Sequence, residues 1–148
     1  MKKHIKIIFL SFFILLGYVI INNLKPIIIF ENTTDKTVYL YHMQWNSSQS
    51  EPEPDEVSQL KKPLVIAPHQ TIKLRPNFSM LFSNHMQWDI YWKIGSRLES
   101  EAYTGGKIFS LSNKQGSCKF TIEIFDNNDS FNITTSNKWY CYKNLVPK

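Results

Sequence analysis

The tetrapeptide His-Met-Gln-Trp, which carries two kinds of metal-ligating side chain, occurs twice in the sequence, at 42–45 and at 85–88. Imidazole and thioether groups together suit a soft metal ion such as copper. Both copies lie in segments that alternate as β-strands do, so the His and Met of each copy point to opposite faces of a strand. Since one strand cannot present both side chains to an ion, the sequence predicts neither a metal site nor a bound cofactor.

Three histidines are candidate general bases: His42, His69 and His85. The chain has no His-Glu-x-x-His helix, no Gly-x-Ser-x-Gly turn, no glycine-rich phosphate loop and no pair of cysteines at zinc spacing. Nothing in the spacing of the histidines and acids argues for a catalytic arrangement. We therefore predict a non-catalytic protein, and keep a small envelope enzyme as the least favoured alternative.

An acidic cluster lies in the segment from Asn46 to Lys62. Its members are Glu51, Glu53, Asp55 and Glu56, with prolines between them at 52 and 54. Such a segment has too little apolar surface to order itself well, so we predict an irregular surface loop. Two interpretations remain open: a solvated loop without a function, or a contact for a basic surface on a protein partner.

Two cysteines, Cys118 and Cys141, favour a disulfide if the domain is exported. An antiparallel hairpin of Cys118–Asp126 and Ile133–Cys141 would place the two cysteines opposite each other. The same register pairs Phe120 with Trp139, Ile122 with Asn137 and Ile124 with Thr135. The bridge would contribute about 3 kcal/mol in the chain-entropy model.

The N-terminus predicts export. Ile5–Ile21 is an apolar run of 17 residues, interrupted by Lys6 and preceded by Lys2 and Lys3. As a helix it would be roughly 26 Å long, at the short edge of what crosses a bilayer, with its basic end in the cytoplasm. We favour an uncleaved signal anchor over residues 1–22, because Gly17 is the only small residue near a possible cleavage site. A cleaved signal peptide and a buried helix of a soluble protein are the alternatives.

The remaining residues, 23–148, form one predicted periplasmic domain of an inner-membrane, single-pass protein, or a secreted one if the leader is cleaved. The whole chain has 17 basic and 12 acidic residues. Removing Lys2, Lys3 and Lys6, with no acid before Glu31, leaves 14 basic and 12 acidic residues and a net charge of +2. That balance gives no basic surface for nucleic acid. Abundant Ile, Asn and Lys favour a bacterial source.

The domain reads as short strands. Met86–Ile94 shows the clearest alternation, with apolar residues at 86, 88, 90, 92 and 94 and polar ones between them. Further strands are predicted at Pro26–Phe30, Thr37–Trp45, Leu64–Ala67, Thr71–Arg75, Ser79–Ser83, Arg97–Tyr103 and Lys107–Leu111, with Gly105-Gly106 as a hairpin turn.

Eight or nine short strands and no helical period after Ile21 predict an all-β fold, a single antiparallel β-sandwich. Ile29-Phe30-Glu31-Asn32-Thr33-Thr34, followed by Pro68-His69-Gln70-Thr71, resembles the strand edges of immunoglobulin-like sandwiches. That resemblance implies an immunoglobulin-like arrangement.

An anchored small domain without a catalytic motif favours binding. The leading hypothesis is a non-catalytic periplasmic protein-binding domain, in its sharpest form an immunity or inhibitor protein that blocks a toxin or enzyme. The alternative is a structural subunit of an envelope or secretion assembly. The predicted contacts are a periplasmic protein partner through Glu51, Glu53, Asp55 and Glu56, and the membrane through residues 5–21.

Overall fold

The chain forms two β-sheets behind an N-terminal helix in a computed structural model that describes residues 2–48, 51–83, 85–95, 104–125, 130–136 and 140–148. Helix α1 spans Lys2–Asn23, and two short helices, α2 and α3, span Pro54–Ser58 and Phe78–Phe82; a 3-10 turn covers Gln59–Lys61. The described strands are β1 Ile27–Asn32, β2 Val38–Asn46, β3 Leu64–Ile66, β4 Thr71–Leu74, β5 Met86–Ile94, β6 Gly105–Ser112, β7 Lys119–Ile124, β8 Phe131–Ser136 and β9 Asn144–Pro147. The predicted β-sandwich behind a helix is confirmed.

Helix α1 projects from the sandwich. Its apolar side chains are exposed over almost the whole run from Ile7 to Ile21, so they do not pack on either sheet. Lys6–Asn23 is, within the described part of the chain, the one helix long and apolar enough to cross a membrane; a signal sequence meets the same criterion. A helix suits that environment because it satisfies its own backbone hydrogen bonds.

The two sheets have the strand orders β3-β2-β5-β6-β9 and β4-β1-β7-β8. In the larger sheet all neighbours are antiparallel, and the long strands β2 and β5 pair over their full length from Val38–Ile94 to Asn46–Met86. In the smaller sheet β1 is antiparallel to β4 but parallel to β7. Strand periodicity does not show strand direction, so this parallel pair could not be read from the sequence.

The core lies between the sheets, where alternate residues of each strand meet. Trp88, Ile90 and Trp92 of β5 are fully or almost fully buried, as their alternation predicted. Across the sandwich they face buried side chains of β1 and β7, among them Ile28, Phe30, Phe120, Ile122 and Ile124. The ring of Trp92 lies 6.0 Å from that of Phe30. Large aromatic groups therefore supply much of the buried apolar area.

The buried side chain of Asn32 stabilises the connection from β1 to β2, which joins the two sheets. The Asn32 side chain donates to the carbonyls of Lys36 at 2.8 Å and Ala67 at 3.0 Å, and accepts from the Thr34 hydroxyl at 2.8 Å. The two segments that resemble immunoglobulin-like strand edges are neighbours here, because β1 pairs with β4 and Glu31 lies opposite Thr71.

The predicted register of the last hairpin is wrong. Phe120 lies opposite Thr135 and Ile124 opposite Phe131, four residues away from the predicted pairing of Ile124 with Thr135. In the observed register the ring of Phe131 contacts that of Trp92, with the ring centres 5.1 Å apart. The predicted partners Asn137 and Trp139 lie outside the described residues.

Two other local predictions differ from the structure. Four residues of the predicted strand Ser79–Ser83 belong to helix α3, which ends at Phe82 and buries Met80 and Leu81. Gly105 and Gly106 are not a turn but begin β6, where they leave room for the rings of Trp92 and Tyr91. Strand β9 was not predicted. The predicted strand Arg97–Tyr103 lies outside the described residues.

Candidate interaction surfaces

The predicted acidic contact is an ordered surface. Instead of an irregular loop, residues 54–58 form α2, and the Glu53 backbone N–H donates to the Glu56 carboxylate at 2.8 Å. Acids at the first turn of a helix also interact favourably with its free N–H groups. Glu51, Glu53 and Asp55 are exposed and Glu56 is half-buried. Glu51 and Asp55 thus present exposed carboxylates on an ordered backbone, and the exposed Glu53 side chain also accepts from the backbone N–H of Glu56.

The edge of strand β2 holds this segment in place. Strand β3 pairs only with Val38–Leu40, and the following part of β2 is covered by the 3-10 turn. The Gln59 side-chain oxygen accepts from the Gln44 backbone N–H at 3.3 Å, and the buried Gln44 side chain accepts from the Asn77 N–H at 2.8 Å. The part of β2 that β3 leaves unpaired is thereby covered, which limits its pairing with other chains.

Exposed apolar side chains accompany the acids on the same stretch of chain. Val57, Leu64 and Val65 are 41%, 38% and 60% exposed. We call Glu51–Ile66 the acidic segment. A surface that combines exposed aliphatic groups with carboxylates can bind a protein, with the aliphatic groups as a small apolar centre and the carboxylates around it.

The repeated tetrapeptide is a structural feature of the larger sheet. Its two copies lie on paired strands, with Trp45 opposite Gln87. Both side chains donate to Asp89, the Trp45 indole N–H at 3.0 Å and the Gln87 amide at 3.0 Å, and Asp89 is only 6% exposed. Both oxygens of the Asp89 carboxylate thus accept hydrogen bonds from side chains of the same sheet, and the carboxylate stabilises the pairing of β2 with β5.

The three histidines lie apart in the fold. His42 is half-buried with its ring 6.3 Å from that of Trp88, and burial lowers its pKa below the ordinary value of 6.5. His69 is exposed and its Nε2 lies 2.9 Å from an Asp35 oxygen. His85 is exposed just before β5. Among the described residues no group of three or more His, Cys, Asp or Glu side chains could hold a metal ion.

Cys118 and Cys141 form a disulfide, with their Cα atoms 5.7 Å apart. The pairing agrees with the prediction, although the hairpin register behind it does not. The bridge joins the start of β7 to a segment beyond the end of β8. It lies close to the point where α1 meets the sandwich, because the Ile27 N–H donates to the Cys118 carbonyl at 2.9 Å and the Tyr142 N–H donates to the Leu24 carbonyl at 2.9 Å.

A cavity of about 620 Å³ opens beside the disulfide at this end of the domain. Three basic residues line it, Lys25, Arg75 and Lys119, together with Tyr140. Each comes from a different part of the chain, so sequence reasoning missed the set. The available signals were local: aromatic residues at 78, 140 and 142 close to basic residues or to a cysteine.

The chain matches no protein-family model, and no curated protein or solved structure matches it. The class of protein is therefore defined by the fold alone, a two-sheet β-sandwich behind an N-terminal apolar helix. A fold of this kind does not by itself define a function, which depends on the surfaces that the domain presents.

Proposed function

We propose that the chain is a membrane-anchored, non-catalytic domain that binds a protein partner in the periplasm, in its sharpest form an immunity or inhibitor protein. The observation that carries the proposal is the acidic segment, where three exposed carboxylates and three exposed aliphatic side chains project from an ordered backbone. A preorganised surface loses less conformational entropy on binding than a loose loop.

The N-terminal helix supports the location. α1 is long and apolar enough to cross a bilayer, and Lys2, Lys3 and Lys6 precede or begin its apolar run. Basic residues on one side favour a cytoplasmic N-terminus, which puts the sandwich on the other side of the membrane. The disulfide is consistent with an oxidising compartment. A partner of the domain would then be a protein of that compartment with a basic contact surface.

Neutralising two acids tests the binding surface. In Glu51→Gln/Asp55→Asn the capping carboxylate of Glu56 is retained, so α2 should persist. We expect capture of a basic protein from bacterial envelope extracts to weaken about two- to thirtyfold, because each exposed ion pair contributes about 0.2–1 kcal/mol. Quantitative pull-down with the tagged full-length chain, at low and at high salt, measures the effect.

The matched control is Glu31→Gln/Glu123→Gln, which removes the same charge from the smaller sheet, where these two residues lie opposite each other on β1 and β7. The control should capture the partner as well as the wild type does. If both variants lose the partner equally, or if neither does, the acidic segment is not the binding surface.

A further inference from the structure

The end of the sandwich that receives α1 combines exposed aromatic side chains with basic ones. Contacts fix which residues lie there: the Arg75 guanidinium donates to the carbonyl of Asn22 in the last turn of α1, and the Tyr142 N–H donates to the Leu24 carbonyl at 2.9 Å. The apolar run of the helix ends at Ile21. If α1 crosses the membrane, as the proposed function requires, these residues lie at the level of the lipid headgroups.

Exposed aromatic side chains cluster beside this junction. Phe82 and Tyr142 are 64% and 52% exposed, and their rings lie 6.0 Å apart. Phe78 is 5.4 Å from Phe82, ring centre to ring centre, and the ammonium group of Lys25 lies 5.1 Å from the centre of the Phe78 ring. The aromatic cluster, Phe78, Phe82 and Tyr142, is thus connected by contacts to the first residues after the helix. Aromatic rings of this kind are enriched where a protein meets the interface of a bilayer.

The adjoining cavity is basic. Lys25, Arg75 and Lys119 line it with Tyr140, and among the residues that the structure describes no carboxylate does. Tyr140 is 82% exposed at its rim. Three cations and a phenol hydroxyl around one opening favour a phosphate group, which accepts several charge-assisted hydrogen bonds.

We infer that this end of the sandwich rests on the membrane that α1 crosses and binds one anionic phospholipid there. Its phosphate lies in the cavity among Lys25, Arg75 and Lys119, and the aromatic cluster lies at the boundary of headgroups and acyl chains. The lipid is the occupant favoured over a soluble phosphate because the opening adjoins the helix exit. The exposed aromatic side chains beside the opening can contact the acyl chains and headgroups of a lipid, whereas a soluble phosphate would make no contact with them.

Lipid retention by the full-length chain tests this inference. The protein is extracted from membranes with its disulfide intact and titrated, in non-ionic detergent, with dioleoyl phosphatidylglycerol or dioleoyl phosphatidylcholine, and bound lipid is counted by native mass spectrometry. The wild type should retain the anionic lipid at lower concentration than the zwitterionic one. Arg75→Gln/Lys119→Gln should weaken retention of the anionic lipid about tenfold or more, because it removes two of the three cations.

The control Lys61→Gln/Lys62→Gln removes the same charge from two exposed lysines of the acidic segment. It should change retention of the anionic lipid less than about twofold. Lys25→Gln is a second variant that leaves the Arg75 contact to α1 intact. It should shift retention in the same direction as the double variant.

Equal retention of both lipids by the wild type, or equal losses in the control and in the cavity variants, would overturn the inference. Displacement of the bound lipid by an equimolar concentration of glycerol phosphate would also overturn it, in favour of a soluble phosphate. Release of the wild-type chain from membranes by carbonate contradicts the proposed anchor, and the inference with it. If the wild-type chain stays in the membrane after carbonate treatment but shows no preference for the anionic lipid, only this inference is contradicted. The proposed binding function of the acidic segment is then not affected.

Discussion

His42 shows how a single side chain responds to its place in the sandwich. Its alternation in β2 puts it on the side of the sheet that faces the core, opposite Ile90 and beside the ring of Trp88. Among the described residues no hydrogen-bond partner reaches its Nδ1, which is buried. Desolvation lowers the pKa of His42 because the charged imidazole loses hydration and gains no counter-charge.

A stability dependence on pH follows from that shift. The unfolded chain takes up a proton at His42 as the pH falls through 6.5, whereas the folded chain resists it until a lower pH. The contribution of His42 to the free energy of unfolding is therefore fully present above about pH 6.5 and falls progressively below it. We expect the wild type to lose stability relative to His42→Gln between pH 7 and pH 5. Thermal unfolding of both full-length chains in detergent, across that range, measures the difference; parallel curves would contradict the prediction.

At the scale of the elements, the connection from β6 to β7 depends on its closing contact with β9. Ser117 and Leu145 form an isolated antiparallel bridge, each N–H donating to the other's carbonyl at 2.9 Å. Gly116, which precedes the bridge, has φ +94°, and a Cβ there would overlap the carbonyl group of Leu145. Glycine is required at this position by both the conformation and the space.

Replacing Gly116 with Ala should loosen β9. Gly95 is the matched control, because it has nearly the same conformation, φ +96°, and no atom of the described residues lies within 4 Å of a Cβ there. Gly95→Ala should destabilise the fold by about 1–2 kcal/mol through the backbone conformation alone. Gly116→Ala should cost about 1–3 kcal/mol more, since the new methyl group overpacks against the backbone of β9. Urea unfolding measures the free energy of unfolding of both variants. Equal losses would contradict the prediction, because the Ser117–Leu145 bridge would then accommodate the methyl group without destabilising the fold.

At the scale of the whole molecule, the disulfide joins the start of β7 to the C-terminal segment, at the end of the sandwich where α1 enters. Leu24, directly after α1, bonds to Tyr142, the neighbour of Cys141, and Ile27 bonds to Cys118. The bridge between Cys118 and Cys141 spans 23 residues of sequence. It therefore stabilises the same end of the sandwich that carries the helix, the basic cavity and the aromatic cluster.

Loss of the bridge should lower the free energy of unfolding by about 3 kcal/mol, the value for a closed loop of this length. Cys118→Ser/Cys141→Ser and the reduced wild type should unfold at similar denaturant concentrations, and the serine variant should not respond to reductant. In cells, the wild-type chain from the membrane fraction should carry no thiol that reacts with maleimide before reduction. Free thiols in that fraction would contradict export to an oxidising compartment.

Local sequence patterns were sufficient to predict those elements whose burial or exposure follows from their own side chains. The alternation of Met86–Ile94 predicted a strand with one buried face, and the apolar run of Ile5–Ile21, interrupted by Lys6, predicted a helix long enough to cross a membrane. The count of cysteines predicted the disulfide. For the strand and the helix the side chains alone determine the environment, since apolar area leaves water whatever the neighbours are.

The tertiary structure decided what depends on residues far apart in sequence. In the observed register of β7 with β8 the ring of Phe131 contacts Trp92, and Gly105 begins a strand in which the ring of Trp92 takes the space of a Cβ. The acidic segment is ordered by the edge of β2, and the basic cavity exists only where Lys25, Arg75 and Lys119 meet. Contacts of this kind close long loops, and their free energy depends on the whole packed arrangement. No local window of the sequence contains it.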